Sequence, residues 1–279
     1  MEAPPPARLG LIAGAGALPG LIAAAARGQG RPCFVLGVEG FADPAQLGAG
    51  PDAWVDFNHA ARGFALLRAA GVRDLVMAGR VRRPRLAEFR PDLRTAAFLA
   101  RVAYHALGDD GLLRAVTAEI EREGFRVVGV GDVLAEALAP VGLIGGPAPG
   151  DPARADIALG FAAARALGRA DVGQAVAVAG GRVLAREDAA GTDAMIAAVG
   201  AAEQGARPIL VKCKKPTQDR RVDLPAIGPD TVTNCAQAGF AGIAVEAGET
   251  IVIDRAAVAR AADAAGLFVV GVSLAETPS

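Results

Sequence analysis

The stretch Arg8-Leu-Gly-Leu-Ile-Ala13, running through Gly14-Ala15-Gly16 into Ala17-Leu-Pro-Gly-Leu-Ile-Ala-Ala-Ala-Ala-Arg27, decides the fold class. Its first part is an apolar run of the kind a buried strand shows, and its last part has helical composition. Between them the glycines allow a tight turn that brings backbone close to whatever lies at the helix N-terminus. Working outward, the same strand and helix alternation recurs. Pro32 to Gly37 and Asp74 to Ala78 are further apolar strands, and Trp54 to Phe57 is a weaker one. Helices are predicted over Ala60 to Ala70, over Asp92 to Leu107, and after Asp110, where Leu112, Leu113, Val116 and Ile120 recur on one face. Phe125 to Val130 returns to strand character. Strands separated by helices of this length predict a parallel sheet covered on both faces.

The texture changes between Leu134 and Pro152, where Pro140, Gly142, Gly145, Gly146, Pro147, Pro149 and Gly150 crowd together and read as a linker. Beyond it Asp151 opens a helix through Leu167, and Gly180-Gly181 joins Gln174–Ala179 to Arg182–Arg186 as a hairpin. Thr192 caps a helix, Ile209 to Cys213 is a strand, and Pro229 fits the first turn of a further helix. Strands are predicted at Gly242–Glu246 and Thr250–Asp254, then a helix over Arg255–Ala265 and a strand over Leu267–Val272. The reading is α/β throughout, with a parallel-sheet domain over 1–133, a Pro/Gly-rich linker over 134–152 and a mixed α/β domain over 153–279.

The 279 residues are 52% hydrophobic and 21% charged, which excludes intrinsic disorder. Balanced charge, with 29 basic against 30 acidic residues, gives no field for phosphate-driven nucleic-acid binding, so no nucleic-acid partner is expected. Cys33, Cys213 and Cys235 have no C-x-x-C spacing and fit neither a disulfide framework nor a zinc site. The start is acidic and proline-rich, unlike a signal peptide, and apolar stretches are broken before the length a spanning helix needs. The expectation is a soluble, reduced, cytoplasmic protein, compatible with peripheral contact with a membrane.

Candidate chemistry lies on the loops. The Gly14-Ala15-Gly16 turn could cradle a phosphate, although Pro19 stands where the dinucleotide pattern has its third glycine. An ordinary strand-to-helix turn is an equal reading. Arg80, Arg82, Arg83 and Arg85 follow a buried strand end and suit phosphate oxygens, or form a solvated basic loop. Asp109-Asp110 and Thr192-Asp193 open helices and read first as caps, although Mg²⁺ beside phosphates needs only one or two such carboxylates. The densest polar stretch runs from Lys212 to Pro225 and contains Lys215, Asp219 and Asp223. Asp223 stands apart between Val222 and Leu224, ahead of a rigid Pro225. His59 and His105 are lone histidines with no HExxH or Gly-x-Ser-x-Gly neighbour. Metal-assisted hydrolysis through carboxylates therefore fits better than a Ser or Cys nucleophile.

Five segments together carry a resemblance that covers the chain from Arg8 to Val272. They are Leu9-Gly-Leu-Ile-Ala-Gly-Ala-Gly-Ala-Leu-Pro19, Ala78-Gly-Arg-Val-Arg-Arg-Pro84, Gly108-Asp-Asp-Gly-Leu-Leu-Arg114, Gly191-Thr-Asp-Ala-Met195 and Lys215-Pro-Thr-Gln-Asp-Arg-Arg-Val-Asp-Leu-Pro-Ala-Ile-Gly228. In this order and spacing the chain resembles the UDP-2,3-diacylglucosamine pyrophosphatase family of lipid A synthesis. The resemblance implies a Rossmann-like N-terminal domain and a Mg²⁺-dependent hydrolase. Its products are 2,3-diacylglucosamine 1-phosphate (lipid X) and UMP, with water attacking the phosphorus nearer the uridine. It further implies a homodimer in peripheral contact with the inner membrane. On this reading Asp223 is essential, with Lys215 and Asp219 beside it in catalysis. Asp223 and Asp193 serve the metal. Gly14, Gly16, Ala17, Leu18, Pro19, Gly79, Arg80, Thr192 and Gln218 bind substrate. Ala190 stands where the family usually has Glu, so Glu187 or Asp188 would have to replace it at a metal. Two other classes compete: a non-catalytic nucleotide-sugar or lipid binder, and a nicotinamide oxidoreductase resting on Gly14-Ala15-Gly16 alone.

Overall fold

The computed structural model describes residues 7–82, 90–105, 108–202 and 207–274. Arg83 and Arg85 lie outside them, as do the side chains of Asp109, Asp110 and His105 on which the cap and histidine readings rest. The chain divides into two compact units. One runs to Ala135 and takes in Asp219–Asp223; the other comprises Glu136–Gln218 and the residues from Leu224 onward.

In the first unit five parallel strands lie in the order β3-β2-β1-β4-β5. They are β1 (Arg8–Ala13), β2 (Cys33–Val38), β3 (Ala53–Val55), β4 (Val72–Ala78) and β5 (Arg126–Val127). Helices α1 (Leu18–Gly28), α2 (Ala60–Ala69), α3 (Leu93–His105), α4 (Gly108–Arg122) and the short α5 (Val130–Val133) complete it. This is the strand order of a doubly wound sheet, with its switch point between β1 and β4. Leu75 and Val76 are consecutive on β4 and point to opposite faces, yet neither is exposed. Both faces are therefore covered, which is why the strands read as continuous apolar runs. On one face Phe64 and Leu67 of α2, Phe98 and Val102 of α3 and Ile120 of α4 form a single cluster with the sheet.

The second unit holds a six-stranded mixed sheet, β6-β13-β11-β9-β7-β8, and a small parallel pair, β10 with β12. Its strands are β6 (Gly142–Gly145), β7 (Ala175–Ala179), β8 (Arg182–Arg186), β9 (Ile209–Lys212), β10 (Ala226–Ile227), β11 (Gly242–Glu246), β12 (Ile251–Val252) and β13 (Phe268–Val272). Its helices are α6 (Asp151–Arg169), α7 (Thr192–Ala202), α8 (Pro229–Gln237) and α9 (Arg255–Ala265). Alternation along the strands divides the core. Leu210, Ile243 and Val269 face Ile196, Val232 and Val258 of α7, α8 and α9. Ile209, Val211 and Phe268 face Ile157 and Phe161 of α6.

Two expected boundaries move. The interval 134–152 is not a free tether: it contains a 3₁₀ turn, the buried Ala139 and β6, which pairs antiparallel with β13. Its glycines are those of an edge strand, where the ladder tolerates them. The second change is Asp219–Asp223, which groups with the first unit although strands of the second flank it in sequence. Arg221 pairs there with Glu121 of α4 at 2.7 Å, and Val222 packs against the α2–α4 core.

Candidate active site

At the switch point of the first sheet, the loops after β1 and β4 are laced together. The Gly14 amide donates to the carbonyl of Ala78 at 2.8 Å, and Ala15 and Arg80 exchange backbone hydrogen bonds of 2.9 Å each. A Cβ on Gly14 would stand 2.7 Å from the Arg80 carbonyl oxygen, and one on Gly79 would stand 2.7 Å from the Gly14 carbonyl carbon. These two glycines are needed so that the loops can touch. Gly16 differs: its φ is +98° and a Cβ there would meet open space. It turns the chain into α1, whose N-cap residue Ala17 supplies no side-chain acceptor to the first amides. Leu18 and Pro19 are buried in the opening turn of α1, so their side chains serve packing. What this corner offers a ligand is backbone at a helix N-terminus, with the exposed Gly79 and Arg80 alongside.

In the same unit, Asp219–Asp223 forms a tight turn in which the amides of Val222 and Asp223 both donate to the Asp219 carbonyl, at 3.0 and 2.9 Å. The Asp219 carboxylate accepts from the Arg221 guanidinium on both oxygens, at 3.0 and 2.7 Å, and from the Arg221 amide. That guanidinium holds the Asp219 carboxyl below its ordinary range. Asp219 thus shapes the turn. Asp223 is half-buried at the turn's end.

The remaining expected residues lie in the second unit. Lys215 donates to Asp171 at 2.8 Å, and its backbone amide donates to the Gln218 side chain. Gln218 is buried and its amide nitrogen reaches Gln174 at 3.2 Å. Thr192 and Asp193 begin α7. The Thr192 hydroxyl donates to Glu187, and Asp193 accepts from Asn234 of α8 at 3.1 Å. Asp193, Asn234 and Gln237 rim an open groove of about 420 Å³ between α7 and α8, floored by Ile196, Gly200 and Ala238.

Glu187 is buried and also accepts from the Gln174 amide at 2.8 Å, so both its oxygens are engaged in this network. Sequence reasoning missed the partner of this carboxylate. Lys212 closes the apolar strand β9, is 7% exposed, and donates to Thr192 at 3.1 Å and to the Ala226 carbonyl at 3.3 Å. Burial pushes its ammonium below its ordinary value, opposed by the nearby Glu187 and Asp193. The signal was there: a lysine directly after Ile209-Leu-Val211, at a position where the strand is still inside.

Burial pushes the thiols of Cys213 and Cys235 up to about 12 and that of Cys33 to about 11, which makes them poor nucleophiles. As for a metal, no three His, Cys, Asp or Glu side chains cluster among the described residues. That donor set fits no all-protein cage, but it fits Mg²⁺ held by one or two carboxylates beside phosphate oxygens. Both oxygens of Asp219 are on Arg221, which leaves it poorly placed to serve a metal.

Residues 8–137 match the family model described as the LpxI N-terminal domain, and residues 140–270 match the one described as the LpxI C-terminal domain. A protein of Caulobacter vibrioides, named UDP-2,3-diacylglucosamine pyrophosphatase LpxI, is 42% identical over 279 residues. The match covers 97% of this chain and 99% of that protein.

Proposed function

The chain belongs to the LpxI family, and from that premise we propose that it hydrolyses the pyrophosphate bond of UDP-2,3-diacylglucosamine to lipid X and UMP. The observation that carries the reading is the 42% identity along nearly the whole of both chains, because it extends over both units and the loop that bears Asp223. In this reading Gly14, Gly16 and the amides opening α1, with Gly79 and Arg80, hold the nucleotide or its diphosphate. Asp223 orients the attacking water, and Asp219 keeps the turn that presents it. Asp223 in the first unit and Asp193 in the second are each a carboxylate that could hold Mg²⁺. When bound, Mg²⁺ supplies charge neutralisation on the pyrophosphate oxygens. Lys215, whose amide holds the Gln218 side chain, supplies positive charge against the negative charge that develops on the leaving phosphate, and Thr192 is a further candidate for substrate contact. Water forms a bond to the phosphorus nearer the uridine, the bridging P–O bond breaks, and lipid X leaves with the bridging oxygen.

Two further parts of the reading concern setting. No helix among the described residues is long and apolar enough to cross a membrane. Peripheral contact with the inner membrane and a homodimer belong to the same proposal. Incubation with UDP-2,3-diacylglucosamine and Mg²⁺ in water enriched with heavy oxygen tests the reaction. Label in UMP is expected. Label in lipid X would move the attack to the other phosphorus, and binding without release of UMP would make the protein a carrier.

A further inference from the structure

The loop between β9 and β10 leaves the second unit after Gln218 and rejoins it at Leu224. Its two ends are joined by one continuous chain of hydrogen bonds inside that unit. At the entry, Gln218 accepts from the Lys215 amide at 2.9 Å and donates to the Gln174 side chain at 3.2 Å. The Gln174 amide donates to one oxygen of Glu187 at 2.8 Å, and the Thr192 hydroxyl donates to the other at 2.5 Å. Lys212 then donates to Thr192 at 3.1 Å and, with the same ammonium, to the carbonyl of Ala226 at 3.3 Å. Ala226 opens β10 and is the third residue after Asp223. The chain therefore begins at one foot of the loop and ends at the other.

The groups in it are expensive. Gln218, Lys212 and Glu187 are 7%, 7% and 8% exposed, and apolar residues of similar volume commonly stabilise a fold as well as a buried ion pair or better. Lys212 and Glu187 share the Thr192 hydroxyl as their intermediary, and each has one further partner, the Ala226 carbonyl for Lys212 and the Gln174 amide for Glu187, so removing a member leaves a neighbouring buried charge short of one bond. Such a network specifies one arrangement of its members more than it adds stability. The arrangement it specifies is the span between the feet of the Asp219–Asp223 loop.

We propose that Lys212 is a positioning residue: with Thr192, Glu187, Gln174 and Gln218 it clamps both feet of the loop and so sets where Asp223 stands. The proposal rests on Asp223 acting in the hydrolysis. Lys212→Met keeps an unbranched side chain one atom shorter and removes its charge and donors. It is expected to lower kcat at least about thirtyfold with KM changed less than about threefold, as for a group acting through another on the transition state. Gln174→Ala breaks the chain at a second point, by removing the acceptor of Gln218, and is expected to cost about three- to tenfold in kcat. The double variant is expected to lose little more than Lys212→Met alone, because both cut one connected network.

Amide hydrogen exchange gives a readout independent of turnover. The amides of Val222 and Asp223, both on the Asp219 carbonyl, are expected to exchange at least about tenfold faster in Lys212→Met while β11 keeps its protection. Should Lys212→Met fail to fold, Gln174→Ala alone decides on the same two amides. Multiplicative kcat losses, a KM rise as the main effect, or unchanged exchange at 222 and 223 would overturn the clamp. Absence of UMP release by the wild type would instead overturn the hydrolytic reading, and the exchange result would still stand or fall by itself.

Discussion

At the β1/β4 switch the first unit presents backbone: Gly14 and Gly79 pressed together, Gly16 turned into α1, and amides with no side-chain cap. At the end of β9 the second unit does the reverse and buries Lys212, Glu187 and Gln218 in a closed network. The first unit has a buried charge too, but at the other end of its strands. Asp74, near the start of β4, accepts from Arg31 and from Arg126, the latter at 2.7 and 2.8 Å. Charge there holds the base of the sheet, whereas glycine shapes the opposite rim. The difference teaches that the two units order their loops by different means, close backbone approach in one and enforced side-chain order in the other.

The largest expected effect separates the chemistry from both kinds of scaffolding. Asp223→Ala should lower kcat by at least about a thousandfold, as expected for a group that orients a reacting water. Its melting temperature and substrate binding should stay close to wild type. A variant that still turns over at the normal rate removes Asp223 from the mechanism. Next comes Gly79→Ala, which attacks the backbone-built corner. The added Cβ meets Gly14 backbone at 2.7 Å and Ala15 oxygen at 2.9 Å at a φ of +93°. Overpacking and positive-φ strain together predict a loss of about 3 kcal/mol, measurable by urea unfolding. Loss below about 1 kcal/mol would mean that the loops part easily and that the lacing is not structural.

Asp74→Asn tests the charge at the base of the same sheet. The Arg126 guanidinium first, with Arg31 beside it, holds the Asp74 carboxyl below its ordinary range. A depressed carboxyl contributes stability that is present above its unfolded pKa of about 3.9 and is lost as pH falls through the lower folded value. The variant should therefore be about 2 kcal/mol less stable at neutral pH, since it takes the charge from a buried carboxylate that pairs with the largely buried Arg31, while Arg126 is exposed and adds less. That gap should close as pH drops below about 4. A gap that widens in acid would show that Asp74 is not the titrating group. Activity should be little changed at neutral pH, because this cluster lies at the opposite strand ends from the glycine corner.

How much of this was legible follows the same division. The α1 region could be read from Arg8 to Arg27 almost residue by residue, because strand pattern, glycine turn and helix composition are local signals. Both sheets and the order of their elements followed from such signals. The edge strand β6 was hidden by Pro and Gly, which mark a linker and an edge strand alike. The short β10 and α5 carry too few residues to show a period. Among site residues, Asp223 was singled out by its apolar neighbours. That Asp219 is spent on Arg221, two residues on, depends on the side-chain conformations of a tight turn, and the role of Lys212, buried beneath Thr192, depends on a contact 20 residues away and on depth inside the fold. Neither quantity is written in spacing or residue type.

The smallest expected effect is also the sharpest on the glycine corner, because Gly16 is the one glycine there whose Cβ would touch nothing. If the corner serves only the turn, Gly16→Ala costs the positive-φ strain alone, about 1 kcal/mol, and leaves kinetics as they were. If a diphosphate approaches the backbone at this point, the added methyl occupies ligand space that is open in the free protein. The variant should then show the same modest loss of stability with KM raised at least about tenfold and kcat changed less than threefold, the pattern of lost uniform binding. Gly79→Ala cannot make this distinction, since it disturbs fold and rim together. Unchanged KM in Gly16→Ala would withdraw the phosphate cradle from the first unit and leave its glycines to packing alone.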